Sequence, residues 1–159
     1  MFGNRKIAAV MAVAVGICVG AGGAIAADQA GAVQFRQANM KAQGGALGGV
    51  IVELRKDAPD MALVAARSAK LKELSAQLPS WFPAGSGAEA GVKTRAKADI
   101  WSDGAGFAAA ADHLKVEAAK LDQLAASGDL AGVKTQVMVV RGACKACHDK
   151  YQTPETPAA

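Results

Sequence analysis

The chain has 159 residues, 52% of them hydrophobic and 20% charged, with a formal net charge of +4. That length suits one globular domain, and the apolar share excludes general disorder. Aromatic residues are only 4% and much of the apolar count is alanine; such a composition suits closely packed helices better than a sheet, because β-branched and aromatic residues dominate strands.

The N-terminus has the grammar of an export signal. Arg5 and Lys6 form a short basic start, residues 7–27 carry no charge, and small residues precede Asp28. Ala24-Ile25-Ala26 fits an A-x-A cleavage pattern, so the cut is expected near Ala26 or Ala27. The rival reading is an uncleaved anchor, since the run is long enough to cross a bilayer. Alanine and glycine anchor weakly, which favours cleavage and no stable membrane insertion afterwards. Cys18 follows bulky Ile17 where a lipoprotein signal needs a small residue, so it is assigned to the discarded segment. Residues 1–27 are thus expected to be removed, taking Arg5 and Lys6 with them and lowering the net charge from +4 to +2. No dense Lys/Arg stripe remains, and no nucleic-acid partner is expected.

Four helices and one long loop are predicted in the remainder. The first covers about Gly31 to Arg55, with Val33, Met40, Leu47, Ile51 and Leu54 as its apolar stripe. Gly44, Gly45, Gly48 and Gly49 are unfavourable inside a helix. They either let a helix or flat ligand approach the backbone, or mark a break after Gln43. The second helix opens at Asp57-Ala58-Pro59-Asp60 and buries Met61, Val64, Leu71, Leu74 and Leu78. Pro79 and Pro83 end it, and the long connection runs to about Asp99. Trp81 and Trp101 flank that loop and either cover a ligand edge or plug the core.

The third helix covers about Ser102 to Ala126, with Phe107, Leu114, Leu121 and Leu124 on one face. Ser127-Gly128-Asp129 stops it and caps the fourth. In that last helix, Leu130 to Tyr151, the residues Val133, Val137, Val140, Cys144, Cys147 and Tyr151 recur every three or four positions. The tail, 153–159, is polar and proline-bearing and is expected to be loose. The expected fold is all-α: an antiparallel up-down four-helix bundle over residues 28–152.

Cys144-Lys145-Ala146-Cys147-His148 is a C-x-x-C-H sequence, the pattern of covalent haem c attachment. Residues three and four apart share a side of a helix. Two thiols at that spacing can form thioethers with the two vinyl groups of one porphyrin, and the histidine then reaches the iron from the same side. A thioredoxin-type site needs a βαβ context, which is absent. A structural zinc site wants four ligands, and these residues supply three. Spacing alone leaves a simple disulfide open. One covalent haem c is expected, with Cys144 and Cys147 as attachment points and His148 as axial iron ligand.

These features resemble the cytochrome c′ family: exported four-helix bundles with C-x-x-C-H near the C-terminus of the last helix. The resemblance covers essentially the whole mature chain. It rests on Arg36-Gln37-Ala38-Asn39-Met40-Lys41 in the first helix and on Cys144 to His148 with Tyr151 in the fourth. It implies a periplasmic protein, an antiparallel homodimer, Arg36 near a haem propionate and Met40 on the distal side of the iron. The family often has a basic residue four positions after the haem histidine, where this chain has Gln152.

The family divides at the sixth coordination position. Some members leave the iron five-coordinate and bind nitric oxide or carbon monoxide; others bring a helix-one methionine onto the iron and carry electrons. Met40-Lys41-Ala42-Gln43-Gly44-Gly45 is more similar to the electron carriers. Met40 is therefore expected as distal ligand, and the function as one-electron transfer to redox partner proteins through a His/Met-ligated iron, whose potential such ligation raises. Gas binding at a five-coordinate iron is the alternative, with Met40 packing on the porphyrin without bonding iron. Peroxide-activating enzymes need a distal acid–base group; no histidine or carboxylate is near Met40 in sequence, so no enzyme is expected. His113, Met61 and Met138 have no motif support as ligands.

Overall fold

The computed structural model describes residues 21–154, with side chains from Asp28 onward. The predicted signal lies outside the described residues except for the backbone of 21–27, and so does the tail beyond Pro154. Four long helices account for most of the described chain: α1 (Ala21–Glu53), α2 (Met61–Gln77), α4 (Gly104–Ala126) and α5 (Leu130–Tyr151). A single turn, α3 (Asp99–Ser102), precedes α4. Among the described residues there is no strand, only an isolated bridge between Ala96 and Gln152.

Helix boundaries follow local chemistry. The Asp60 carboxylate caps α2, accepting from the backbone N–H of Ala62 at 2.9 Å and of Leu63 at 3.2 Å. Asp129 caps α5 through Gly132 N–H at 2.9 Å, and Gly128 supplies the left-handed turn before it, at φ +74°. Asp103 caps α4 through Gly106 N–H, so the third long helix starts two residues later than its periodicity predicts. The alternative of a break after Gln43 is not realised: α1 passes unbroken through Gly44, Gly45, Gly48 and Gly49.

The helices α2, α4 and α5 bury most of the stripe that the sequence marks, whereas in α1 only Val33 of the predicted stripe is buried, Met40, Leu47, Ile51 and Leu54 are half-buried, and Ala46 and Val50 enter the core instead. Val64, Leu71, Leu121, Val133 and Val140 are fully buried where α2, α4 and α5 meet, and burying each such side chain contributes about 1.5–3 kcal/mol. Successive long helices pack along their lengths, α1 on α2, α2 on α4 and α4 on α5, whereas α1 and α5 meet only sparsely. The gap between those two helices positions the site. Trp81 is core, only 1% exposed. Trp101 hangs its indole N–H on the carbonyls of Phe82 and Pro83, both at 3.2 Å. Neither tryptophan lines the gap, so both serve the fold at the loop end of the bundle.

Candidate functional site

The gap between α1 and α5 is a cavity of about 820 Å³. On the α5 wall stand Cys144, Cys147 and His148, and facing them on α1 are Arg36, Met40 and Gln43. The two cysteines are half-buried and not joined in a disulfide. Burial raises both thiol pKa values, and the neighbouring Cys147 raises that of Cys144 further. The thiols therefore stay protonated near neutral pH, unlike the low-pKa thiols of redox motifs. His148 sits at the cavity rim with its outer face exposed. Desolvation and then the nearby positive charge of Arg95 lower its pKa, which favours the neutral imidazole that ligates metals.

Arg36 is 3% exposed. Its Nη1 donates to Ser86 Oγ at 2.9 Å, and its Nη2 donates to Ser86 O and Thr94 Oγ1, both at 2.9 Å. The guanidinium also lies over the Phe82 ring at 4.8 Å. All of these partners are neutral, so a buried cation lines the cavity with no carboxylate paired to it among the described residues. Phe82 in turn packs edge-on against Phe107 at 4.8 Å, and Phe107 against Tyr151 at 5.3 Å. This aromatic row closes one end of the cavity from the α1 side to the α5 side.

The loop before α3 clamps the end of α5. Arg95 donates from Nε to Thr153 O at 2.9 Å and from Nη2 to Gln152 Oε1 at 3.2 Å, while Thr153 N–H returns to Arg95 O at 2.9 Å. Lys97 Nζ reaches the carbonyl of Lys150 at 3.1 Å, answering one of the helix's unpaired C-terminal acceptors. Position 152 lacks a basic side chain, yet the fold brings one to the same place from the loop. The same loop holds α1 through Thr94 on Arg36 and through Lys93 O, which accepts from Gln37 Nε2 at 2.9 Å.

These residues fit a planar tetrapyrrole carrying carboxylates. Two thiols and an imidazole share one wall, a buried unpaired cation awaits an anion at the edge, and the volume falls within the roughly 300–1,000 Å³ usual for cofactor sites. A bare metal ion fits poorly, because among the described residues no three His, Cys, Asp or Glu groups converge on one point. His113 is exposed beside Glu117 and, like Met61 and Met138, does not line the cavity.

A helical bundle with this wall and this cavity is a c-type haem protein. The model of the family described as Cytochrome C′ matches residues 31–152. Cytochrome c′ of Rubrivivax gelatinosus is 38% identical over 121 residues, 76% of this chain and 93% of that one. The crystal structure of that organism's cytochrome c′ superposes with a TM-score of 0.70 at 36% identity, covering 77% of this chain and 94% of the other. A nitric oxide complex of a leucine-to-valine mutant of cytochrome c prime from Alcaligenes xylosoxidans superposes with a TM-score of 0.69 at 31% identity, again covering 77% and 94%. The chain belongs to the cytochrome c′ family, and with that family it carries covalently attached haem c.

This assignment overturns the expectation of one-electron transfer through a His/Met-ligated iron. The matched relatives are cytochromes c′, and a solved neighbour is a nitric oxide complex. A gas needs an open sixth position on the iron, which a methionine sulfur would fill. The leaning toward the electron carriers rested on Met40 and the glycines after it. Neither feature distinguishes a methionine that packs on the porphyrin from one that ligates the iron.

Sequence reasoning missed Phe82, Thr94, Arg95 and Gln43 as lining residues. Gln43 was readable, since it stands three after Met40 and seven after Arg36 on one helical face. The other three lie on the irregular connection, where no period marks which side chains turn inward.

Proposed function

We propose that this chain is an exported, periplasmic five-coordinate haem protein that binds nitric oxide or carbon monoxide. The observation that carries the reading is the cavity itself, with Cys144, Cys147 and His148 on one wall and half-buried Met40 opposite. Bound haem would supply an iron with one open axial position, a soft site for a diatomic gas. Cys144 and Cys147 would hold the macrocycle through thioethers, and His148 would ligate from the proximal side. Arg36 would pair with a propionate, completing its hydrogen-bond set with the anion it lacks. Met40 would pack over the distal face as a flexible apolar lid without bonding iron. Among the described lining residues no carboxylate is available as an acid–base group, so binding rather than turnover is proposed.

Residues 28–152 would form the mature bundle after removal of 1–27, with 153–159 as its tail. No helix among the described residues is long and apolar enough to cross a membrane. A homodimer fits α1, whose outer face carries Phe35, Ala38, Ala42, Gly45 and Val52 in heptad register, all exposed.

Absorption spectra test the gas-binding reading. The haem-loaded wild type is expected to be high-spin and to take up carbon monoxide when ferrous. Met40→Ala should keep the spin state and bind the gas faster, by about tenfold if the lid accounts for some 1.4 kcal/mol of the barrier. A low-spin wild type that ignores carbon monoxide, and gains that ability on Met40→Ala, would sink it.

A further inference from the structure

Gln43 lines the cavity's α1 wall beside Met40, Gly44 and Leu47, and unlike Gln37 and Lys41 on the same wall it is buried. It lies between Met40 and Leu47 on the inward stripe and is only 6% exposed. Its carboxamide has one hydrogen bond: Nε2 donates to Ser75 Oγ on α2 at 3.0 Å. The orientation of the amide follows from the network. The Ser75 hydroxyl spends its own proton on Leu71 O at 2.7 Å, so its oxygen must act as acceptor, and the nitrogen of Gln43 must face it. One N–H and the Oε1 acceptor of the carboxamide then have no partner among the described residues. The Oε1 atom is not enclosed by protein and so is open to the cavity; once a cofactor excludes water there, a half-satisfied amide costs free energy unless something in the cavity completes it. A leucine or methionine would fill the same space on this stripe without that cost, so packing does not explain the choice.

We propose that Gln43 is a specificity-determining residue of the distal cavity, its anchored carboxamide donating the spare N–H to a diatomic ligand held beneath Met40. This rests on the gas-binding reading given above. Ser75 is the positioning residue: it holds one side of the amide so that the other is presented to the cavity at a fixed angle. A donor at the outer atom of a bound diatomic favours ligands that gain negative charge on binding, and slows their release. Met40 supplies bulk and Gln43 supplies polarity, and together they set which gases stay.

The test uses the full chain, matured with haem, as its ferrous carbon monoxide complex. Vibrational spectra and the release rate of carbon monoxide are compared among wild type, Gln43→Leu and Ser75→Ala. A donor polarises bound carbon monoxide and lowers its stretching frequency. Gln43→Leu is therefore expected to raise the frequency and to speed release roughly two- to tenfold, the worth of one net hydrogen bond. Ser75→Ala keeps the amide but frees it, and should broaden the band into more than one component. Thermal unfolding and the haem absorption spectrum of each variant show that the fold and cofactor are retained. An unchanged frequency and release rate in Gln43→Leu, or a frequency that falls, would overturn the inference while the gas-binding reading stands. A wild type that takes up no carbon monoxide at all would remove both.

Discussion

Arg36 shows how much of the site's energetics one side chain can hold. A guanidinium taken out of water is costly, and desolvation lowers its pKa, yet the group stays charged because arginine cannot be deprotonated under ordinary conditions. Ser86, Thr94 and the face of Phe82 offset part of that cost. Replacing it by methionine leaves the Ser86 and Thr94 acceptors without their donor and breaks the tie between α1 and the loop. Arg36→Met is expected to destabilise the haem-loaded protein by about 1.5–3 kcal/mol, the range for hydrogen bonds to charged groups, read as a lower urea midpoint with an unchanged slope. Arg36→Lys should not restore it, since an ammonium cannot span two acceptors as a fork does. The C-x-x-C-H spacing singled out Cys144, Cys147 and His148, and the family resemblance singled out Arg36; the fold gathers all four around one cavity. Met40 was placed correctly on the cavity wall, but its role was not legible, because a thioether that ligates and one that packs are the same residue. The difference depends on how far the helix stands from the iron, which is a tertiary fact.

At the level of elements, the helices that the sequence marked most clearly carry both a period and a cap. The fourth predicted helix matches α5, Leu130–Tyr151, because Asp129 starts it and a single apolar stripe runs its length. The loop from Pro79 to Ala98 lacks such a period, and its role as clamp on both walls emerged only in three dimensions. The turn between α1 and α2 is similar in kind. Glu53, 4% exposed, accepts the backbone N–H of Asp60 at 2.9 Å and pairs with Lys56 Nζ at 2.8 Å, joining the end of one helix to the start of the next. The Lys56 hydrogen bond, followed by that of Asp60, holds the carboxyl below its ordinary range. A carboxylate whose pKa is depressed on folding stabilises above its unfolded value, about 4.3 for glutamate, and loses that contribution as pH falls through the lower folded value. Glu53→Gln is therefore expected to melt below wild type at pH 7, with the difference shrinking as pH is taken below about 4. A melting-temperature difference that stays constant from pH 7 to pH 3 would show that the charge has no part in the joint.

Across the whole molecule, one imbalance governs the architecture. Three of the four neighbouring helix pairs close tightly, and the fourth, α1 against α5, is held apart. A helix that forgoes packing on one flank has less to hold it in place, and α1 recovers contacts through α2, through the loop at Arg36 and Gln37, and by the proposed dimer through its outer face. That face is unusual for a helix surface: Phe35 is 57% exposed and Val52 59%, and small residues lie between them in the same register. Small side chains let two helices approach closely, and the larger ends would then cover each other in an antiparallel crossing, with Phe35 of one copy nearer Val52 of the other. A carboxylate in the middle of such a seam would be desolvated without a partner. Ala42→Glu is accordingly expected to convert the protein to monomer in sedimentation at micromolar concentration, while its haem spectrum stays that of wild type because Ala42 does not line the cavity. Val116→Glu places the same charge on the outer face of α4, where Val116 is 60% exposed, and should leave the dimer intact. If wild type already sediments as a monomer, or both variants dissociate alike, the exposed stripe on α1 is not where two copies meet, and α2 and the loop hold that helix over the cavity without a second copy.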